Sequence, residues 1–238
     1  MLLAVINCHS REEFSDAIRS TWAPLVPAEV DLRFFRGRGA TRDPLPDEVF
    51  LDCGDAYLEL PEKVQAVMRW AYENGYDYAA KVDDDVICKP SQWYAGFHRA
   101  DFSGWQDPGC KVGEIKTPWG FFYVLSRRAM ELIINAPLPG RAGALHSHEH
   151  GNDEAWVSSV LHYQNIFLTS DPRYFLHLGE KPPPPRRPLR APIRPSPPVR
   201  RPVENYFAAC IYLNWSGFHA TGTDVILREF HKVFKEGL

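Results

Sequence analysis

Three adjacent aspartates, Asp83, Asp84 and Asp85, follow a strand-like segment and carry the clearest chemical signal in this sequence. Carboxylates this close together need a compensating charge, and a divalent cation is the obvious candidate. Strand alternation would place Asp83 and Asp85 on one side of the chain and Asp84 on the other. Oxygen ligands on a short loop suit Mg²⁺ or Mn²⁺, which share their coordination shell with water and substrate phosphates. The pattern predicts a cation site that binds a nucleotide diphosphate; the alternative is an acidic turn that faces water.

The segments before this aspartate triplet alternate between strand and helix. We predict a strand over residues 2–8, a helix capped by Ser10 and Glu13, strands over residues 31–36 and 48–52, a helix from Pro61 to Gly75, and a strand over residues 76–82. The apolar run 2–8 is typical of a strand buried on both faces. This order predicts an α/β fold with a mainly parallel central sheet flanked by helices. Ligands of such sheets collect at the carboxyl ends of the strands, where the triplet lies.

The later segments keep this pattern on both sides of a proline-rich stretch. We predict a strand over residues 120–125, a helix from a Ser126 cap to Asn135, a helix over residues 151–163, a strand over residues 207–215, and a final helix capped by Thr223. Residues 181–202 hold ten of the 21 prolines and seven Lys or Arg without an acidic residue, so we predict an extended or disordered loop. Because structure resumes afterwards, residues 1–238 are predicted to form one domain with this Pro/Arg-rich loop inserted.

Charge and cysteine content narrow the class of protein. The net charge is −3, but outside residues 181–202 the chain carries 20 basic and 30 acidic side chains, which argues against nucleic acid as the main partner. The five cysteines show no paired spacing, which favours a reducing compartment. No apolar run reaches the length of a membrane-spanning helix. We therefore expect a cytoplasmic protein with no integral membrane segment, unless the chain is a fragment of a longer anchored protein.

Five segments occur in order along the first two thirds of the chain: Ile18-Arg19-Ser20-Thr21-Trp22, residues 50–63 (FLDCGDAYLELPEK), Lys81-Val82-Asp83-Asp84-Asp85-Val86, residues 120–126 (GFFYVLS) and Asp153-Glu154-Ala155. They resemble the I-R-x-T-W, D-x-Y-x-N-L-T-x-K, D-D-D, G-x-x-Y-x-x-S and E-D-V motifs of the galactosyltransferase and Fringe-type β-1,3-glycosyltransferase family. The resemblance implies a GT-A fold, a UDP-sugar donor bound through a metal, and inversion at the anomeric carbon.

The resemblance also implies roles for individual donor-site residues. Asp83 and Asp85 would hold Mn²⁺ or Mg²⁺, and Asp84 would lie behind the cation or contact the donor ribose or sugar. Arg19 resembles the donor-site arginine, whose planar guanidinium suits uracil or phosphate; the alternative is a surface arginine on an amphipathic helix. Lys63 matches the lysine of the family, with a solvated helical turn as the alternative.

An inverting transfer needs one general base for the acceptor hydroxyl, and Asp153 or Glu154 is the candidate. Both lie at a predicted helix start, where capping and the helix dipole alone also explain acidic residues. A later histidine often completes the metal shell of such folds, and His219 or His177 could do so, with a structural histidine as the alternative. The histidine-rich run 146–150 favours a mobile loop over a zinc site, because no paired cysteines accompany it.

The chain departs from the family at Glu59 and Pro61, which replace asparagine and threonine, and it lacks the paired secretory cysteines. These losses fit a microbial or viral cytosolic relative. We predict a metal-dependent inverting hexosyltransferase that moves a hexose or N-acetylhexosamine, with galactose favoured, from UDP to a hydroxyl of a glycan or glycoconjugate. Two alternatives stay open. One is a catalytically degenerate relative that binds a sugar nucleotide or glycan; the other is an interaction protein whose Pro/Arg-rich loop binds a partner.

Overall fold

The computed structural model describes residues 1–97, 99–106, 111–139 and 153–171, and the backbone of residues 177–178 and 208–211. The strands are β1 (Leu2–Ile6), β2 (Asp31–Arg36), β3 (Glu48–Phe50), β4 (Tyr78–Asp83), β5 (Val86–Cys88), β6 (Phe102–Gly104), β7 (Lys111–Val112), β8 (Ile115–Lys116), β9 (Phe122–Ser126), β10 (Thr169–Ser170), β11 (His177–Leu178) and β12 (Ala208–Ile211). The α-helices are α1 (Glu12–Ser20), α2 (Leu60–Glu73), α3 (Pro90–Gly96), α4 (Arg127–Asn135) and α5 (Asp153–Tyr163).

The central sheet has seven strands in the order β10-β6-β9-β4-β1-β2-β3. Strand β1 pairs in parallel with β2 and β4, and β2 pairs in parallel with β3, whereas β9 runs antiparallel to β4 and β6. The predicted α/β class with a mainly parallel sheet is therefore confirmed. In the β1–β4 register Ile6 lies opposite Asp83, so the carboxyl ends of these two strands meet at one edge of the sheet. We call this the carboxyl edge.

A second, three-stranded sheet begins immediately after the aspartate triplet. Strand β5 pairs antiparallel with β12, and β12 pairs in parallel with β11. Asp84 and Asp85 form the turn between β4 and β5. The triplet therefore lies where the chain leaves one sheet for the other.

The central sheet is covered on both faces, as the apolar sequence of β1 requires. Leu3 and Val5 pack into one apolar cluster with residues of α1 and α3, and the other residues of β1 pack into a second cluster with α2, α4 and α5. All five residues of β1 are buried. A strand that faces helices on both sides has no polar face, which explains its continuous run of apolar residues.

Two predicted helix caps have different outcomes. The Ser126 side chain accepts a hydrogen bond from the Ala129 backbone N–H at 3.2 Å, so this predicted cap of α4 is confirmed. The predicted Ser10 cap is wrong, because a 3-10 turn over His9–Arg11 separates β1 from α1 and makes Arg11 the residue before the helix. The Ser10 hydroxyl instead lies 3.3 Å from the Cys8 sulfur.

Some predicted features lie outside the described residues: the histidine-rich run 146–150, the Pro/Arg-rich loop 181–202 and the helix capped by Thr223. Within the described part of the chain, no helix has the length and apolar character needed to cross a membrane.

Gly37, directly after β2, lies where two loops at the carboxyl edge come into contact. A Cβ atom at this position would lie 2.4 Å from the carbonyl oxygen of Gly54 and 2.8 Å from that of Cys53. The neighbouring Arg38 N–H donates to the same Cys53 carbonyl at 2.9 Å, so neither loop can retreat without losing a hydrogen bond. Only glycine fits between these two backbones.

We expect Gly37→Ala to destabilise the protein by about 1–3 kcal/mol, because the added methyl group overlaps backbone atoms that cannot move aside. The free energy of unfolding in urea measures the effect. Gly120→Ala is the matched control, because its Cβ would approach only the end of the flexible Glu154 side chain, at 2.6 Å. Equal stability of the Gly37→Ala and wild-type proteins would show that the two loops are not rigidly packed.

Candidate active site

The aspartate triplet lies at the carboxyl edge with unequal exposure of its three side chains. The side chains of Asp83 and Asp85 are 34% and 26% exposed, whereas that of Asp84 is 5% exposed. The expected strand alternation does not continue through the triplet, because β4 ends at Asp83 and the chain turns at Asp84 and Asp85. Two carboxylates of the triplet therefore face solvent, and one faces the interior.

Arg11 links the two aspartates of the turn. Its Nη2 atom lies 3.0 Å from Asp84 Oδ1 and 3.5 Å from Asp85 Oδ2, and its guanidinium carbon lies 3.9 Å from the centroid of the Phe14 ring. Burial raises the pKa values of both carboxyl groups, and the charge of Arg11 opposes this effect. Asp84 and Asp85 thus share one internal cation. No motif of the sequence pointed to Arg11.

Asn7, directly after β1, connects the triplet to the sheet beneath it. Its amide nitrogen donates to Asp84 Oδ2 at 3.0 Å and to the Arg11 carbonyl at 3.0 Å. Its amide oxygen accepts a hydrogen bond from Arg36 Nε at 3.1 Å. Arg36 is fully buried and also pairs with Glu48, with Nη2 and Oε1 3.1 Å apart. Asp84 is therefore the outer end of a buried polar chain that crosses from β4 through β1 to β2 and β3.

Lys81 joins the triplet to the start of α5. Its side chain is 1% exposed, and its ammonium lies 2.5 Å from Asp83 Oδ1 and 3.6 Å from Asp153 Oδ2. It also donates a hydrogen bond to the Gly120 carbonyl at 2.6 Å. Burial lowers the pKa of Lys81, but the Asp153 and Asp83 carboxylates outweigh it and hold the pKa above the usual lysine value. The structure thus brings together the triplet and the predicted acidic helix start.

The two acidic residues at the start of α5 have different surroundings. Asp153 is buried and accepts a hydrogen bond from the Tyr123 hydroxyl at 2.7 Å. Glu154 is partly exposed, and its carboxylate lies against Gly120. Burial and, next, the Asp153 carboxylate raise the pKa of Glu154 to about 8. Glu154 therefore combines access to solvent with a pKa suited to proton transfer near neutral pH.

Lys63 has a structural position that the sequence did not predict. It is buried on α2 and donates to Asp55 Oδ1 at 2.6 Å and to the Asn7 carbonyl at 3.0 Å. Asp55 also accepts hydrogen bonds from the backbone N–H groups of His9, at 2.8 Å, and Gly37, at 2.6 Å. The alternative of a solvated lysine is wrong, because this pair ties together the loops that follow β1, β2 and β3. A contact of Lys63 with the donor stays a prediction.

Arg19 is also occupied by partners within the chain. Its guanidinium donates two hydrogen bonds to Asp47, at 2.8 and 2.9 Å, and one each to Glu48 and Asp16, both at 2.9 Å. Its guanidinium carbon lies 4.5 Å from the centroid of the Phe34 ring. Arg19 therefore holds α1 to the start of β3. The donor-site role that the resemblance implies for it stays a prediction.

Of the predicted metal ligands, the structure describes the side chains of the two aspartates, Asp83 and Asp85. His219 lies outside the described residues, and only the backbone of His177 is described. Within the described residues, no three or more His, Cys, Asp or Glu side chains converge as a complete metal site. Asp83 and Asp85 nevertheless offer solvent-facing oxygens, the ligand type of Mg²⁺ and Mn²⁺, which commonly use one or two carboxylates beside substrate phosphates. The residues fit a cation shared with a substrate rather than a full protein cage.

Comparison with known proteins supports the fold. No protein-family model matches the chain, and no curated protein matches it. Solved structures do match it, among them an active-site mutant of LgtC and the galactosyltransferase LgtC in complex with donor and acceptor sugar analogs. They align with 99% and 98% of this chain and 96% and 95% of their own, at TM-scores of 0.55 and 0.54 and 10% identity. The chain has the GT-A fold. Assignment to the Fringe-type family stays a prediction.

We expect Lys63→Met to destabilise the GT-A domain by about 3 kcal/mol, because it leaves the Asp55 carboxylate without its ammonium partner. Urea denaturation measures the loss. Glu62→Gln is the matched control, because it changes a more exposed charge on the same helical turn. Unchanged stability of Lys63→Met together with lost UDP affinity would contradict the structural role and make Lys63 a donor ligand.

Proposed function

We propose that this protein is a metal-dependent glycosyltransferase. It transfers a hexose or N-acetylhexosamine, with galactose favoured, from a UDP-sugar to a hydroxyl group of a glycan. One observation carries the proposal: at the carboxyl edge of a GT-A sheet, the partly exposed carboxylate of Asp83 is joined through Lys81 to Asp153 at the acidic start of α5. The partly exposed Asp85 lies in the turn directly after β4. The likeness in fold to LgtC, which was solved with donor and acceptor sugar analogs, supports it.

The donor side of the proposed site is the aspartate triplet. Asp83 and Asp85 would hold Mn²⁺ or Mg²⁺, and such a cation neutralises the negative charge of a diphosphate and of the departing UDP. Lys81 fixes the Asp83 carboxylate, and Arg11, which also pairs with Asp84, contacts that of Asp85. These contacts hold the two solvent-facing carboxylates in place before any ligand arrives, which reduces the cost of ordering them on binding.

The acceptor side of the proposed site is Glu154. In an inverting transfer, the acceptor oxygen bonds to the anomeric carbon as the bond to UDP breaks, and one base takes the hydroxyl proton. We assign that base to Glu154 rather than Asp153, because Asp153 is buried and holds the Tyr123 hydroxyl. NMR of the first product formed tests the proposed inversion, since the new glycosidic bond must have the anomeric configuration opposite to that of the donor.

Asp85→Asn tests the donor site, because it removes one charge while keeping the size of the side chain. We expect it to weaken Mn²⁺-dependent UDP-sugar binding by at least about tenfold and to lower transfer in parallel. Titration calorimetry with a panel of UDP- and GDP-sugars, and an assay for UDP release, measure both effects. Asp52→Asn is the matched control, because Asp52 follows β3 near the same edge and pairs with Arg38 instead. If no nucleotide sugar binds the wild-type protein, or if Asp85→Asn binds equally well, the proposal fails.

Glu154→Gln tests the assigned base. We expect turnover to fall by about 10²- to 10⁴-fold, with UDP affinity unchanged. Because a general base must be deprotonated, the wild-type rate should rise with pH through the Glu154 pKa of about 8, and the variant should lose this rise. A pH series of initial rates measures it. If Asp153→Asn abolishes turnover while Glu154→Gln retains it, the base is Asp153.

A sugar-nucleotide binding protein without transferase activity is the second candidate function. The observation in its favour is that each carboxylate of the triplet already contacts a cation of the chain: Lys81 for Asp83, and Arg11 for Asp84 and Asp85. Such a protein would bind the donor panel and release no UDP with any acceptor. The remaining alternative, partner binding by the Pro/Arg-rich loop, concerns residues outside the described structure. Deletion of that loop with transfer intact and partner binding lost would support it.

A further inference from the structure

Arg11 lies at the carboxyl edge and is partly exposed to solvent. Neutralising the triplet does not require this exposure. Arg11 ends the 3-10 turn after β1, at the carboxyl edge, and its side chain is 30% exposed. Among the described residues, Lys81 is the other basic side chain that contacts the triplet, and it is 1% exposed and lies beneath it. Of these two cations, Arg11 is the one that a ligand at the triplet can reach.

We propose that Arg11 is a ligand of the donor diphosphate, and that Asp84 and Asp85 hold its guanidinium in place to recognise phosphate oxygens. The inference rests on the proposed function, since it concerns the anion that would enter the same site. It assigns to Arg11 a binding role that the motifs of the sequence did not indicate.

The contacts of Arg11 fix the guanidinium before a ligand binds. Nη2 lies between Asp84 Oδ1 and Asp85 Oδ2, at 3.0 and 3.5 Å, and the Phe14 ring packs against the guanidinium carbon at 3.9 Å. The Arg11 backbone is also held, because its carbonyl accepts from Asn7 Nδ2 at 3.0 Å. A guanidinium has five N–H donors in a rigid fork, so it can serve carboxylates and a phosphate at the same time. Little side-chain entropy would then be lost on binding.

The negative charge of the triplet at the carboxyl edge calls for a positively charged side chain beside a bound diphosphate. A diphosphate is an anion, and the triplet would repel it unless the carboxylates are neutralised. Lys81 and Arg11 supply two positive charges against the three carboxylates, and Arg11 lies beside Asp85, one of the two solvent-facing carboxylates. An anion that shares a cation with Asp85 would therefore lie next to Arg11, where a charge-assisted hydrogen bond is available.

Arg19 is less suited to this task. It donates four hydrogen bonds to three carboxylates, those of Asp16, Asp47 and Glu48. A phosphate bound by Arg19 would have to replace one of these partners and leave a carboxylate uncompensated. Arg11 lies at the triplet itself, beside the solvent-facing carboxylate of Asp85.

Titration calorimetry of Arg11→Met with UDP in the presence of Mn²⁺ tests the inference. We expect UDP affinity to fall by about 10- to 100-fold, the loss of one or two charge-assisted hydrogen bonds. Arg11→Lys should recover part of the affinity, because it keeps the charge and loses the fork. Uridine, which has no phosphate, should bind both Arg11 variants as it binds the wild type. Mn²⁺ binding without nucleotide, followed by electron paramagnetic resonance, should not weaken in Arg11→Met.

Arg38→Met is the matched control. Arg38 follows β2 at the same edge, is more exposed than Arg11, and pairs with Asp52 rather than with the triplet. Its substitution removes one positive charge, so it measures the effect of net charge alone, and we expect UDP affinity to change less than about twofold.

Three results would overturn the inference while leaving the proposed function intact. They are unchanged UDP affinity in Arg11→Met, an equal loss of uridine and UDP affinity, and a loss of Mn²⁺ binding that accounts for the whole loss of UDP affinity. Failure of the wild-type protein to bind UDP would instead overturn the proposed function and the inference together. If Arg11→Met does not fold, as judged by circular dichroism, Arg11→Lys decides: affinity equal to the wild type rejects recognition by the guanidinium fork.

Discussion

The candidate site depends on one buried positive charge, the ammonium of Lys81. Its neighbours along β4, Ala79, Ala80 and Val82, are fully buried apolar residues. Burial of an unpaired ammonium costs several kcal/mol, so the chain must supply oxygen atoms around it. They come from three places: Asp83 at the end of β4, the Gly120 carbonyl before β9, and Asp153 at the start of α5. One charge thus fixes the relative positions of the acidic groups on both sides of the site.

The polar residues of the carboxyl edge form two groups: buried residues that support the site and partly exposed residues that can contact a ligand. Lys81, Asn7 and Lys63 are buried and make their hydrogen bonds within the chain, where they join β1, β2 and β4 to the loops that follow them. Asp85 and Glu154 are partly exposed and carry the groups that a ligand can contact. Buried polar groups that lose a partner are costly, so the buried set resists rearrangement and gives the exposed carboxylates a rigid support.

The sequence predicted the elements with strong local signals. The bounds of β2 and the Ser126 cap of α4 follow from apolar pattern and capping chemistry, which operate within a few residues. It did not predict β5 and β6, because each has three residues and is stabilised by pairing with distant strands. At the site, the run of three aspartates after a strand located the triplet, and motif resemblance located the acidic residues at 153 and 154. The contacts of Arg11 and Asn7 with Asp84 join residues more than 70 positions apart, so no local pattern reveals them. A lysine within the apolar strand β4 was a visible signal, and Lys81 could have been assigned from it.

The balance of charge at the carboxyl edge explains why a cation is expected there despite the two internal ones. Five carboxyl groups, those of the triplet and of Asp153 and Glu154, face two cationic side chains, Lys81 and Arg11. Carboxyl groups thus outnumber the basic side chains in this set, so the carboxyl edge favours a further positive charge. A divalent cation supplies it. A diphosphate therefore meets less repulsion when it arrives with a divalent cation than when it arrives alone, which makes its binding depend on the metal through electrostatics.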